Sequence, residues 1–473
     1  MDNTQHPSRL SRRAILAAAA ATPIVAVGGS AAAEPGGNGG HGPHRGGGLA
    51  ALTFYVSSAG SDTANGQTQA TAWKSLTKVN QALANGTIVR GDTVRFRAGD
   101  EFFGTINSIP TAAATDPVLT FGAYGSGARP RISNVKICNS TAGWTQYSTN
   151  VWRIDLTAGS GAYTGNTGST NTNAGFIRVN GVIKAAKFFD PASLAADWDF
   201  YNDSQYLYVR LGSNPASAGN VRVAVDGNLV TAQSAVAVDG LELRGSGGHG
   251  FRTPGLQNNV TLSNTVIAEI GGSQLIYTGG PANTRYGNGV EIWIGGSNVT
   301  VTGCTISDVY DVGVTCQGRQ SGAQVGWSNV HIANSSITNC TQSFEMWCAG
   351  AGTATGSGFT NCSFANNHST RAGRGWGALV RPDKAGKSTH LLFYDTQLPC
   401  SGLSITGNTF VDAAQNYTYF AHTAPPAGMV VDNNAISLYA GTKLEYQRTE
   451  TIEQAAAWTA ATGLDQHSTF TIL

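Results

Sequence analysis

The stretch that decides the fold reads Asn298-Val299-Thr300-Val301-Thr302-Gly303, and it returns as Asn329-Val330-His331-Ile332-Ala333-Asn334. Earlier in the chain stands Asn259-Val260-Thr261-Leu262-Ser263-Asn264. Later come Gly402-Leu403-Ser404-Ile405-Thr406-Gly407-Asn408 and Met429-Val430-Val431-Asp432-Asn433-Asn434. Each unit alternates apolar with polar residues, the pattern of a strand with one buried face. Each closes on Asn or Gly, the residues that turn a chain at least cost. Variable intervals between units predict one coil plus loops of different length, and stacked Asn side chains predict a hydrogen-bonded ladder. The reading is an all-β chain, a right-handed parallel β-helix. An antiparallel sandwich is the competing fold, but it does not require the repeated Asn starts.

Working outward, each central unit is followed by a further strand. These are Gly289-Val290-Glu291-Ile292-Trp293-Ile294, Asp311-Val312-Gly313-Val314-Thr315-Cys316 and Ser343-Phe344-Glu345-Met346-Trp347-Cys348. Alternation turns Val290, Ile292 and Ile294 inward, over Val312, Val314 and Cys316, over Phe344, Met346 and Cys348. The outer face then carries Glu291 over Gly313 over Glu345, with Trp293 over Thr315 over Trp347 and Asp311 one step away. Stacked coils are about 4.8 Å apart, so carboxylates two coils apart have Cα atoms about 9–10 Å apart. An inverting glycosidase needs about 6.5–9.5 Å between its acid and its base so that a water fits. Glu291, Glu345 and Asp311 are therefore candidate catalytic residues, and Trp293 and Trp347 candidate platforms for sugar rings. A neighbouring indole and a second negative charge would also lead such a glutamate to hold its proton longer. Two competing readings are solvated glutamates beside tryptophans packed under a loop, and metal ligation.

A basic run, Arg371, Arg374, Arg381, Lys384 and Lys387, follows the third of these strands, with His390 and Tyr394 beyond it. Cations folded over the same face could neutralise a uronate carboxylate and ease removal of its neighbouring proton, as β-elimination requires. In that alternative a Lys or Arg is the base, and Glu291, Glu345 or Asp311 holds a divalent cation such as Ca2+. The hydrolase reading needs no cofactor. A solvated loop with internal ion pairs is the bland account of the run. Cys316 and Cys348 are expected at one inward position on neighbouring strands, within disulfide reach, or as two buried thiols.

The flanks are of other kinds. Arg12-Arg13, an apolar stretch to Val27 and Ala31-Ala32-Ala33 have the order of a twin-arginine export signal over residues 1–33, so a secreted protein is expected. A membrane anchor is the alternative, and no later segment is apolar enough to span. Residues 34–50 are Gly/Pro/His-rich and predict a flexible tether. In the main part, 51–473, Trp73, Leu76, Val79 and Leu83 recur at helical spacing and predict an N-terminal helical cap. Residues from about 143 to 226 read as an inserted set of antiparallel strands. The segment from about 441 to 473 reads as a C-terminal cap with a helix ending at Gly463. Glycine is abundant, 61 of 473 residues against an average of about 7%. The net charge of only +1 argues against a nucleic-acid partner.

With these features the chain resembles the secreted right-handed β-helix proteins of the pectate-lyase-like superfamily. The matching stretches are Phe54-Tyr55-Val56-Ser57-Ser58-Ala59-Gly60-Ser61-Asp62, Gly91-Asp92-Thr93-Val94-Arg95-Phe96, the Asn-start coils and Ala460-Ala461-Thr462-Gly463-Leu464-Asp465. The resemblance implies a polysaccharide or oligosaccharide substrate lying in a groove along one outer sheet, where Glu291 and Glu345 stand. It covers hydrolases, lyases, epimerases and noncatalytic adhesins alike, so a carbohydrate-binding surface protein is the third reading. The Asn-Thr-Asp element and paired aspartates of polygalacturonase-like hydrolases are missing from the sequence, so pectin hydrolysis is not expected.

Overall fold

The computed structural model describes residues 50–275, 284–319, 326–349, 358–380, 387–396, 400–420, 428–446 and 448–473. The export signal and the Gly/Pro/His-rich stretch to residue 49 lie outside them. Among the described residues there are three large sheets of 11, 10 and 9 strands, the third beginning only at Val230. The chain visits them in turn. Gly295–Thr302 lies in the first sheet, Thr305–Val309 in the second and Val312–Arg319 in the third. The next circuit repeats the order with Gly326–Ala333, Ser336–Thr338 and Gln342–Ala349. Successive circuits pair in parallel, Val299 with Val330, Ile306 with Ile337 and Val314 with Phe344. This is a parallel β solenoid, and its core is the stack of inward side chains.

Val260, Val299 and Val330 form one such column, each about 1% exposed or less. Burying each side chain of this size contributes about 1.5–3 kcal/mol. Apolar columns on all three sheets therefore fix which face of each strand points inward. The corners suit the residues there. Asn264, Gly303, Asn334, Asn366 and Gly407 all have φ between 49° and 68°, a left-handed turn between the first and second sheets. Beside them runs the ladder: Cys304 N donates to Ser335 Oγ, Ser335 N to Asn367 Oδ1, Asn367 N to Asn408 Oδ1 and Asn408 N to Asn434 Oδ1.

The register of the third sheet differs from the expectation. Val290 faces Val314, not Val312, and Val314 faces Phe344. A two-residue shift keeps every side chain on its own face, so alternation alone cannot detect it. The corner sets the register. Gly250, Gly289 and Gly313 stack there, and a Cβ on Gly313 would fall 2.6 Å from Ile337 Cγ2 and 2.9 Å from Ser343 O. Gly313 therefore belongs to the tight corner and not to the space between the glutamates. The same shift sets Cys316 against Met346 and Gly318 against Cys348. Cys316 is a free, buried thiol, so the disulfide expectation is overturned.

Residues Val135 to Val225 leave the solenoid. Two antiparallel sheets, of five and four strands, enclose a second core that includes Trp144, Ile154, Ile177, Phe200, Leu207 and Val223. This unit seats on the solenoid through Ser273 Oγ, which donates to Asn173 O, and through Arg285, which donates to Gly272 O and Gly175 O. Trp376 adds an aromatic contact with Phe176. Near the start of the chain, the helix Leu76–Ala84 buries Leu76, Val79 and Leu83 in the main core together with Trp73. A last helix, Ala455–Thr462, buries Trp458 and ends at Gly463 in a left-handed turn. No helix among the described residues is long and apolar enough to cross a membrane.

Candidate active site

On the outer face of the third sheet one column reads Arg252, Glu291, Thr315, Glu345 and Leu392. Glu291 and Glu345 thus share a column two coils apart, with Thr315 between them instead of Gly313. The neighbouring column reads Trp293, Gln317, Trp347 and Tyr394, with Gln317 in the place expected for Thr315.

Both glutamates are only 3% exposed, which removes the picture of solvated carboxylates on an open sheet. Four donors surround Glu291. Arg252 Nε lies 2.8 Å from Oε1, while Gln317 Nε2, Asn288 Nδ2 and His249 Nε2 lie 2.7, 3.1 and 3.2 Å from Oε2. A buried charge is tolerable only when paired in this way. Each neighbour brings a hydrogen, so this carboxylate acts as an acceptor. Between the glutamates, Thr315 Oγ1 is buried and makes no hydrogen bond among the described residues. An unpaired buried hydroxyl is costly, and this one belongs to the residue that stands in the column between the two glutamates.

The two indoles lean together across Gln317, with ring centroids 6.2 Å apart and planes at 45°. The guanidinium of Arg252 lies 5.8 Å from the Trp293 ring. The half-buried rings of Trp293 and Trp347 thus flank the carboxylates as an amphipathic wall.

Asp311 sits at the corner, 7% exposed, close enough to His249 for its charge to act on the imidazole. His249 is buried, which lowers its pKa, with the charge of Glu291 opposing the shift. The backbone N–H of Asn288 donates to His249 Nδ1 at 3.0 Å, which leaves the ring proton on Nε2, facing Glu291.

The other sequence candidates lie elsewhere. Arg371 donates to Asn339 Oδ1, and Arg374 pairs with Asp412 at 2.7 Å, both at the corner after the second sheet. Arg381 and Lys384 lie outside the described residues. His390 is fully buried against Phe410, bonded to Ser343 Oγ, and burial lowers its pKa to about 3. Arg371 and Arg374 are therefore engaged away from the glutamate column.

Several residues at the site escaped the sequence reading: Arg252, His249, Asn288, Gln317, Asp226 and Tyr286, while Thr315 was assigned to the neighbouring column. A signal for Arg252 and Thr315 was present. Gly250-Phe251-Arg252, Gly289-Val290-Glu291, Gly313-Val314-Thr315 and Ser343-Phe344-Glu345 are one small-apolar-polar triplet repeated in four coils. Asp226 and Tyr286 have no such periodicity, because one of them arrives on the inserted unit.

No protein-family model matches the chain. Over 107 residues it is 38% identical to a lacto-N-biosidase of Bifidobacterium longum, a stretch covering 22% of this chain and 6% of that relative's length. Among solved structures, XylC in complex with xylose is similar over 85% of this chain and 72% of its own, with 11% identity and a TM-score of 0.47. A lacto-N-biosidase from Eubacterium ramulus is similar over 89% and 68%, with 11% identity and a TM-score of 0.39. Polysaccharide lyases are also among the structures of similar shape.

Proposed function

We propose that the chain is an exported glycoside hydrolase that degrades a polysaccharide or oligosaccharide in a groove on the third sheet. The fold beneath it is taken as a right-handed β-helix closed at its first coil by the helix Leu76–Ala84. The observation that carries the reading is the column Glu291–Thr315–Glu345, two buried carboxylates on either side of a buried hydroxyl that has no hydrogen-bond partner among the described residues. A water held at Thr315 meets both carboxylates and can be delivered to an anomeric carbon, with inversion as the expected outcome. Trp293 and Trp347 hold the sugar rings alongside, and Asp311 supports the cluster from the corner through His249. The lyase alternative loses support because Arg371 and Arg374 are engaged away from this column.

The test is incubation with a panel of polysaccharides. New reducing ends without an unsaturated, ultraviolet-absorbing product support hydrolysis. The unsaturated product would move the assignment to β-elimination. Binding without turnover of any glycan would leave a carbohydrate-binding surface protein.

A further inference from the structure

Glycoside hydrolysis needs a proton for the departing oxygen as well as a water for the sugar, and in inversion these come from opposite sides. Glu291 and Glu345 rise from one face of one sheet, so both approach a bound chain from the same side. Glu291 moreover accepts from all four of its neighbours and donates to none of them.

A third carboxylate comes from a different element. Asp226 directly follows Val221–Val225, the last strand of the inserted unit. Its carboxyl accepts the hydroxyl hydrogen bond of Tyr286, with Asn171 Nδ2 at 3.4 Å. The ring of Tyr286 meets that of His249 edge-on, centroids 5.1 Å apart, and His249 Nε2 stands 3.2 Å from Glu291 Oε2. Two residues in contact, Tyr286 and His249, thus connect a carboxyl on the inserted unit with a carboxylate on the solenoid. Burial pushes the pKa of Asp226 up, while the hydrogen bond from Tyr286 opposes the shift. Burial also raises that of Tyr286 well above the usual phenol range, so its proton stays in place.

We infer that Asp226 is the proton donor of the hydrolysis proposed above, with Glu291 as the base, and that Tyr286 and His249 are positioning residues between them. This rests on the hydrolase reading. In the step, the O–H bond of the Asp226 carboxyl breaks and its proton goes to the glycosidic oxygen. The bond from that oxygen to the anomeric carbon breaks, and its electron pair stays on the oxygen. A water oxygen bonds to the anomeric carbon and passes its proton to the Glu291 carboxylate. Exchange with solvent returns the proton to Asp226. The inserted unit is then part of the catalytic machinery and not an appendage.

The experiment compares a polysaccharide that the full chain hydrolyses with the para-nitrophenyl glycoside of the sugar it releases. Para-nitrophenolate departs without a proton, so loss of the acid spares that substrate. Asp226→Asn should lose at least about a hundredfold on the polysaccharide and stay within about threefold on the aryl glycoside. Glu291→Gln should lose both. Equal loss on the two substrates by Asp226→Asn, or loss on neither, overturns the assignment while leaving the hydrolase reading intact. If the wild-type chain hydrolyses no glycan, the hydrolase reading falls and this assignment with it. Tyr286→Phe gives an independent readout. Removing its hydrogen bond to the charged form of Asp226 should move the alkaline limb of kcat/KM to higher pH. A limb that stays in place shows Tyr286 to be structural only and overturns its positioning role.

Discussion

The side-chain carbonyl of Asn408 accepts the backbone N–H of Asn367, one coil away, at 2.9 Å, while its amide donates to Phe364 O at 2.9 Å. Asn408 is 1% exposed, so neither group could turn to water if the side chain were removed. Each buried group left without a partner costs about 1–3 kcal/mol. Asn408→Ala should therefore destabilise the solenoid by about 2–4 kcal/mol, read as a lower midpoint in chemical denaturation. A midpoint unchanged from wild type would mean that the ladder adds nothing to stability.

Gly313 tests the corner that sets the register. Its missing Cβ would press on Ile337 Cγ2 and Ser343 O, and backbone atoms cannot step aside. Gly313→Ala should cost about 1–3 kcal/mol, the usual penalty of overpacking. Gly122→Ala is the control, since there the nearest atom is Asp239 O at 3.7 Å. Equal thermal midpoints for the two variants would refute the close approach at Gly313.

Thr315 separates stability from function. Its hydroxyl is buried without a hydrogen bond among the described residues, so Thr315→Val removes a desolvated group and keeps the shape. Stability should be unchanged or rise by about 1 kcal/mol. Turnover of a degraded glycan should fall by about tenfold or more if that hydroxyl holds the attacking water. Undiminished turnover would remove Thr315 from the reaction.

The carboxylates and the indoles should respond differently in steady-state kinetics. Glu345→Gln should lower kcat, because it changes the charge beside the water site. Trp293→Ala and Trp347→Ala should mainly raise KM, by about tenfold for a lost stacking face. A fall in kcat without any rise in KM for both tryptophan variants would argue that they position the carboxylates instead of binding sugar.

Asp465 predicts a pH dependence of stability. It accepts from Tyr417 Oη, Asn434 Nδ2 and Ser468 Oγ in a buried setting, and burial raises its pKa to about 6. In the unfolded chain an aspartate titrates near about 3.9. The folded state therefore holds the proton more tightly, and this stabilisation is complete below about pH 4 and lost as pH rises through about 6. Asp465→Asn should flatten the stability profile across that window. A wild-type profile that climbs between those values relative to the variant would show the opposite sign.

Strand existence and facing were legible because alternation is a local property. Val299 and Val301 point inward whatever the rest of the chain does, and Asn or Gly at the ends allows the turn. The same locality explains what was misread. Sliding Val312-Gly313-Val314-Thr315 by two residues leaves every inward residue inward, so composition could not choose between Gly313 and Thr315 as the residue between the glutamates. That choice was made by steric contact between coils, at a corner where only hydrogen fits on Gly313. Two residues of the basic run were misplaced for a related reason. Arg371 and Arg374 found Asn339 and Asp412 on neighbouring coils, and pairing across coils is invisible to sequence spacing.

The sequence by itself determined a stacked β chain, the inward face of each strand and the presence of Glu291 and Glu345 on one outer column, because these follow from period-two patterning repeated coil after coil. Only the tertiary structure decided that Thr315 lies between them, that Arg252, His249, Asn288 and Gln317 surround Glu291, and that Asp226 reaches Tyr286 from the inserted unit. The physical reason is distance along the chain: a buried carboxylate is held by whatever donors packing brings to it, and packing here joins residues that share no repeat.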